Sequence, residues 1–250
     1  MEKSTHILAG AFMALVLVAA ILLIMGRDVG ERTVLLSFDT EPVDGETPLE
    51  IVEVLNAYGV EATFFVTGEY AHTYPEIVKS LAQDHEIGCH TYSHKKLTTL
   101  SKKEKRVEIV RCKETVSEVV GGEIKGFRAP WHRIDLESMM ILEEEGFDYD
   151  ASPIRSWGLF YPSVSGLGEV RVSSFLLVPL EDTIWIYYMR LPGLFFSVLS
   201  NKRTGLESYV FHPHQIIKEK ERFEEFISDL KRENVNFISH SRLVGKHEGG

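Results

Sequence analysis

The sequence predicts an α/β domain built on a mainly parallel sheet covered by helices, preceded by one transmembrane helix. Three observations carry this. Short apolar runs alternate with helical stretches through most of the chain, the pattern of repeated strand–helix units. Polar residues stand directly after several of those runs, as they do where parallel strands end at an active face. Residues 7–25 carry no charge, and at ~1.5 Å per residue such a run comes close to crossing a ~30 Å hydrocarbon layer.

The apolar run ends Leu22-Leu23-Ile24-Met25-Gly26-Arg27. It offers no good small-x-small cleavage site, so an uncleaved signal anchor is expected over residues 1–27, with one catalytic-sized domain over 28–250. Flanking Lys and Arg do not help the orientation: Lys3 precedes the run, Arg27 and Arg32 follow it beside Asp28 and Glu31, and the count mildly favours a domain inside the cytoplasm. A single-pass membrane protein with its domain outside the cytoplasm is expected from the habit of secreted enzymes to be held by a lone N-terminal anchor. Glu2 and Lys3 cancel, so the rest of the chain keeps the formal charge of -10. Such an acidic domain is a poor non-specific partner for nucleic acid. Cys89 and Cys112 are too few for a disulfide scaffold, and Cys89 reads as a small buried hydrophobe.

The elements follow in order. Residues 33–38 are a buried strand ending in acidic groups. Thr47, Pro48 and Glu50 give a capping signal with Pro at the first helical position, and Leu49, Val52 and Leu55 form the apolar stripe. Residues 62–66 are a second strand. Thr73 and Glu76 open another helix, and residues 86–89 are a third strand. A long helix over 102–119 is expected to bury Val107, Val110, Cys112 and Val116, with Gly121 and Gly122 after it. A short strand at 125–127, a helix over 135–145 and a strand at 147–149 come next. Between 157 and 196 the pattern is irregular and aromatic, with strand-like stretches at 169–172, 175–178 and 183–188. A strand at 208–211, a helix carrying Phe223, Phe226, Ile227 and Leu230, and a strand at 236–238 complete the chain.

Four polar groups stand beyond predicted strand ends. In Ser37-Phe38-Asp39-Thr40-Glu41, extended backbone sends Asp39 and Glu41 to one side, where they could share a divalent ion or divide the roles of ligand and base. His90 and His94, four apart, would share a face of a helical turn and can bind one ion. Imidazoles with a carboxylate favour Zn²⁺, and Co²⁺, Ni²⁺ or Fe²⁺ also suit them. Arg128, in Phe127-Arg128-Ala129-Pro130-Trp131, could orient a carboxylate base and lower its pKa, while Pro130 stiffens a turn that can aim the Trp131 backbone N–H inward. His212 follows a strand directly and suits a general acid; His214 reads as rim. Each group has an ordinary structural reading, but all four at strand ends make a wholly structural account untenable.

These stretches resemble the polysaccharide deacetylase family, the fourth carbohydrate esterase family with its NodB-type homology domain. The resemblance covers residues 33–243. The family's Thr-Phe-Asp-Asp appears as Ser37-Phe38-Asp39-Thr40-Glu41, so Asp39 falls on the base. Glu41 falls on the metal carboxylate of the Asp-x-Glu branches, and Thr40 stands where the second aspartate is usual. The stretch from Ala62 through Gly68, Ala-Thr-Phe-Phe-Val-Thr-Gly, resembles the characteristic second strand. His90 and His94 match the His-[Ser/Thr]-x-x-His metal motif. Arg128, Pro130 and Trp131 match Arg-x-Pro-[aromatic], and His212 matches the late histidine. Asp148-Tyr149-Asp150-Ala151-Ser152 resembles a Tyr-Asp-Ser-Ser motif, leaving Asp150 as candidate support for His212.

The resemblance implies a distorted, incomplete (β/α) barrel. It also implies metal-dependent removal of an acetyl group from an N-acetylated polysaccharide, with Zn²⁺ on Glu41, His90 and His94. Asp39 would be base, Arg128 its holder and His212 the acid. The Trp131 N–H would help stabilise the oxyanion. An amidohydrolase of the same architecture acting on a small amide or heterocycle is the alternative enzyme. A non-catalytic glycan-binding module is the alternative from another class.

Overall fold

The computed structural model describes residues 31–156, 161–201 and 205–245. Its centre is β1 (Arg32–Thr40), whose strand residues are nearly all buried. A strand covered on both faces reads as a continuous apolar run rather than an alternating one, and Val34, Leu35, Leu36 and Phe38 are all fully buried. One edge of β1 pairs along its length with β9 (Gly205–Phe211). It also pairs with β10 (Asn236–Phe237) at its start and with β2 (Thr63–Val66) at its end.

From β2 the sheet continues through β3 (Glu86–Cys89), β4 (Gly126–Phe127), β5 (Tyr149–Asp150) and β6 (Gly168–Glu169), every pairing parallel. The ring returns towards β9 through irregular chain: Ser173 donates to the Ser208 carbonyl and Val210 to that of Leu180. The result is the distorted, incomplete (β/α) half-barrel. A small antiparallel pair, β7 (Ser174–Phe175) with β8 (Val178–Pro179), stands off it.

The core below the C-terminal rim is aromatic. Phe38 stacks on Phe64 at 4.8 Å and on Phe211 at 5.6 Å, and meets Phe223 edge-on. Burying each ring contributes about 1.5–3 kcal/mol, and together they fix the ends of β1, β2 and β9, from which the polar groups emerge. At Gly126 a Cβ would lie 2.1 Å from the Tyr149 hydroxyl, so only glycine lets that phenol pass.

Several expectations are corrected. The long helix, Lys102–Val120, buries Lys105, Glu108, Ile109, Cys112 and Val116, whereas Val107 is half exposed. Charged residues enter the stripe because each is paired: Lys105 Nζ with Asp135 and Glu137, and Glu108 with the Ser93 N–H and hydroxyl. The helix starts at Ser101, which forms a capping box with Glu104. Helix Thr47–Ala57 has no side-chain cap, and Thr47 Oγ1 donates to the Asp44 carbonyl instead. Residues Thr183–Tyr188 form a π-helical turn, not a strand, with Trp185 buried and its indole N–H on the Pro179 carbonyl.

The membrane expectations are also corrected. Among the described residues no helix is long and apolar enough to cross a membrane. The longest, Lys102–Val120, is studded with charge. The anchor expected over residues 1–27, and the domain boundary after it, lie outside the described residues. Among the described residues the fold class is therefore the half-barrel, with no transmembrane helix. The single-pass localisation, the extracytoplasmic placement and the membrane as partner are withdrawn with it.

Candidate metal and acid–base site

The cleft at the C-terminal rim has a volume of about 380 Å³ and is lined by Asp39, Glu41, His90, His94, Trp131 and His212, among others. Parallel strands deliver these groups because each chain leaves the barrel at the same end. Asp39 lies within β1 and Glu41 just past it. His90 follows β3, Arg128 follows β4, and His212 follows β9.

Ligand atoms of Glu41, His90 and His94 lie within 4.8 Å of one another. His90 and His94 do not ride a helical turn. They sit on a loop in which Thr91 (φ 62) and His94 (φ 54) take left-handed backbone, sparsely populated for such residues and characteristic of functional sites. The loop still brings the rings to 5.0 Å. His90 Nδ1 is 2.8 Å from the Arg128 carbonyl, which takes its proton and leaves Nε2 free for an ion.

Burial keeps both imidazoles neutral, lowering the His90 pKa and bringing that of His94 down to about 3, while burial also raises the Glu41 carboxyl. Two neutral imidazoles and a carboxylate crowded this closely fit a divalent cation, whose charge offsets the cost of gathering them. Thr40 is fully buried behind the strand, and Glu41 supplies the carboxylate of the cluster.

Asp39 is held by Arg128, the largest fully buried side chain. Arg128 Nη1 donates to Asp39 Oδ1 and to Ser37 Oγ, both at 2.8 Å, and Nε donates to the Ala151 carbonyl at 3.0 Å. Asp39 Oδ2 is turned to the cluster, 3.8 Å from His90 Nε2. Burial would raise the Asp39 pKa, but the Arg128 guanidinium, helped by the neighbouring histidines, holds it well below the usual carboxylate range.

His212 has the opposite arrangement. Its partner is Asp182: His212 Nδ1–H and backbone N–H each donate to an Asp182 oxygen at 2.8 Å. Burial would lower the imidazole, but the Asp182 carboxylate outweighs it and the pKa is pushed up to about 10.

Asp150 is not in contact with His212. It accepts from the Ser152 N–H at 3.0 Å and from its hydroxyl; Ser152 Oγ in turn accepts from the Ala129 N–H at 2.7 Å. Asp150 thus braces the turn beneath Pro130 and Trp131. Those two residues lie on a short 3₁₀ turn, Pro130–His132, where Trp131 (φ 54) and His132 (φ 56) are left-handed.

Sequence reasoning missed Asp182, and also Glu181, His132 and Asp44. Glu181 and His132 face each other in the cleft at 3.6 Å, and burial lifts the Glu181 carboxyl to about 7. Asp44 accepts the Glu41 N–H at 2.6 Å and His214 Nδ1–H at 2.7 Å. One signal could have found Asp182: Glu181 and Asp182 follow an apolar run, just as Asp39 and Glu41 do.

One rim of the parallel half-barrel thus gathers a Glu/His/His cluster that could hold a metal ion, a guanidinium-held carboxylate and a carboxylate-held imidazole. The profile of the polysaccharide deacetylase family matches residues 26–149, and the chain belongs to that family. Over 115 residues it is 36% identical to the peptidoglycan-N-acetylglucosamine deacetylase of Bacillus cereus, covering 46% of this chain and 42% of that one. Over 126 residues it is 32% identical to the peptidoglycan-N-acetylmuramic acid deacetylase PdaC of Bacillus subtilis, covering 49% of this chain and 27% of the relative. The chain thus spans less than half the length of these curated relatives. The solved peptidoglycan deacetylase PdaC of B. subtilis shares the fold, with a TM-score of 0.65 and 20% identity over 89% of this chain and 95% of that one. So does a Bacillus anthracis protein described as a pseudoenzyme of the same esterase family, with a TM-score of 0.65 and 18% identity over 86% and 66%.

Proposed function

We propose that the chain hydrolyses the N-acetyl group of an N-acetylated glycan, releasing acetate and a free amine, with a divalent ion, Zn²⁺ by preference, at Glu41, His90 and His94. One observation carries the reading: two charged pairs of inverted sign, Asp39–Arg128 and His212–Asp182, open on one cleft beside that cluster. When bound, a divalent cation polarises the amide carbonyl and makes water a better nucleophile near neutrality.

The remaining steps belong to the chain. Asp39 Oδ1 is occupied by Arg128, so Oδ2 is the oxygen that takes the proton from the attacking water. The carbon–oxygen bond forms as that proton leaves, and the Trp131 N–H assists the developing oxyanion. His212, its Nδ1–H fixed on Asp182, donates its Nε2 proton to the amine nitrogen as the carbon–nitrogen bond breaks. A base kept ionised and an acid kept protonated at one pH is the division of labour this hydrolysis needs. The relatives named for peptidoglycan deacetylation support a cell-wall glycan as substrate.

The test is acetate release by the zinc-loaded protein from N-acetylglucosamine oligomers and acetylated cell-wall glycan, beside Asp39→Asn. The expected result is acetate from the unmodified protein and a loss of about 10³-fold in the variant with zinc retained. Acetate from both at equal rates would sink the base assignment. Zinc bound by both with acetate from neither would move the reading to a small-amide hydrolase.

A further inference from the structure

The Arg128 guanidinium reaches Asp39 with one nitrogen and turns the other into the barrel. Nη2 lies 3.5 Å from His240 Nε2. His240 Nδ1 lies 3.0 Å from Thr63 Oγ1, and Thr63 Oγ1 lies 2.8 Å from Glu86 Oε2. The other Glu86 oxygen accepts the Tyr149 hydroxyl at 2.8 Å. His240, Thr63 and Tyr149 are fully buried. Glu86 begins β3 and lines a depression at the opposite end of the barrel from the cleft, together with Glu61, Asp84 and Ser239.

The polarity of this chain is forced. A guanidinium only donates, so His240 Nε2 accepts. The imidazole proton then sits on Nδ1 and goes to Thr63 Oγ1. The threonine hydroxyl gives its own proton to Glu86, which as a carboxylate only accepts. Starting from Glu86 yields the same tautomer. Burial, reinforced by the Arg128 charge, lowers the His240 pKa well below that of an ordinary histidine and keeps the ring neutral, as an acceptor must be. Packing holds the ring in place: it is edge-on to Phe65 at 5.4 Å and stacked on Tyr149 at 6.0 Å, while the Arg128 guanidinium lies over Phe65 at 4.2 Å.

We propose that His240 is a positioning residue for the hydrolysis, fixing Arg128 through a hydrogen-bonded chain anchored at Glu86 and thereby aiming Asp39. This rests on Asp39 acting as the base. A displacement of about 1 Å at a reacting group can cost about 100-fold in rate, so an arginine free to change rotamer carries a measurable penalty.

The experiment compares His240→Leu with His240→Gln, whose amide can accept from Arg128 and donate to Thr63 as the imidazole does. Both are made in the native protein and in Arg128→Lys, with acetate release as the activity and zinc content measured throughout. The expected result for His240→Leu is a fall in kcat of about tenfold with KM and zinc unchanged, recovered largely by His240→Gln. In the Arg128→Lys background the same leucine should add less than about twofold, because coupled residues are non-additive. An equal loss in both backgrounds would show that His240 only packs, and an unchanged kcat would overturn the proposal outright. A readout independent of turnover is the Arg128 Nε–H resonance, expected to exchange slowly in the native protein and His240→Gln and rapidly in His240→Leu. If the native protein released no acetate, the function reading would fall while this resonance still decided whether His240 fixes Arg128. Should His240→Leu fail to fold, Thr63→Val and Glu86→Leu interrupt the same chain further out. They are expected to lower kcat by about threefold, and no loss from either would overturn the anchoring at Glu86.

Discussion

The two walls of the cleft solve one electrostatic problem with opposite signs. On one wall a carboxylate, Asp39, is kept ionised by a buried cation, Arg128. On the other an imidazole, His212, is kept protonated by a buried anion, Asp182. Burial alone would discharge both, since it penalises whichever form is charged. Each wall therefore depends on its partner charge: Arg128 sets that the carboxyl stays ionised and Asp182 that the imidazole stays protonated, which under the proposed mechanism makes one the proton acceptor and the other the donor.

The comparison breaks most severely at Arg128. Arg128→Gln leaves Asp39 buried without its cation, an uncompensated change of about 3–5 kcal/mol. The expected outcome is a loss of activity of about 10³-fold together with a lowered melting temperature; kinetics within tenfold of native would show that the wall does not need its cation.

Asp182→Asn should cost less, about 100-fold in kcat, and it carries a pH signature. In the native protein the raised His212 pKa holds the acid protonated, so activity should fall only as pH rises through about 10. Without Asp182 that alkaline limb should move towards the ordinary histidine value of about 6.5. Linkage gives the sign for stability. The pair's contribution is complete below about 6.5 and is lost as pH rises through about 10, so thermal melts of native protein and variant should converge at high pH. A pH–rate profile with an unmoved alkaline limb would detach Asp182 from the acid.

The smallest effect is expected far from both walls. Val107 is half exposed on helix Lys102–Val120, so Val107→Glu should change stability by no more than about 0.5 kcal/mol and leave acetate release intact. A large loss in a denaturant melt would mean that this face of the helix is not free.

The legibility of the sequence follows the same division. Residues up to β5 obey strand–helix periodicity, and Asp39, Glu41, His90, His94 and Arg128 could be placed at strand ends because buried parallel strands write continuous apolar runs. Asp182 was harder to place: residues 170–182 close the ring with isolated bridges and crossing hydrogen bonds, for which no periodic pattern exists, and only the apolar run before Glu181 marked it. The π-helical turn Thr183–Tyr188 was misread for a related reason: its aromatic, β-branched composition suits a strand, and only tertiary packing of Trp185 decides otherwise. Paired charges defeated the helix stripe, since Lys105 and Glu108 look like surface until Asp135, Glu137 and Ser93 are placed beside them.

The left-handed backbone at Trp131 and His94 has an optical consequence. It sets the indole against the metal-binding imidazole, ring centres 4.5 Å apart at 48°, with the tryptophan still half exposed. Trp185, by contrast, is buried with its N–H bonded to Pro179, and Trp157 lies outside the described residues. The protein therefore carries its own emitter at the mouth of the site. Its fluorescence should change as a divalent cation settles on the neutral His94 ring, and Trp131→Phe should silence that change while cation stoichiometry stays the same, so that occupancy can be followed by light rather than by turnover.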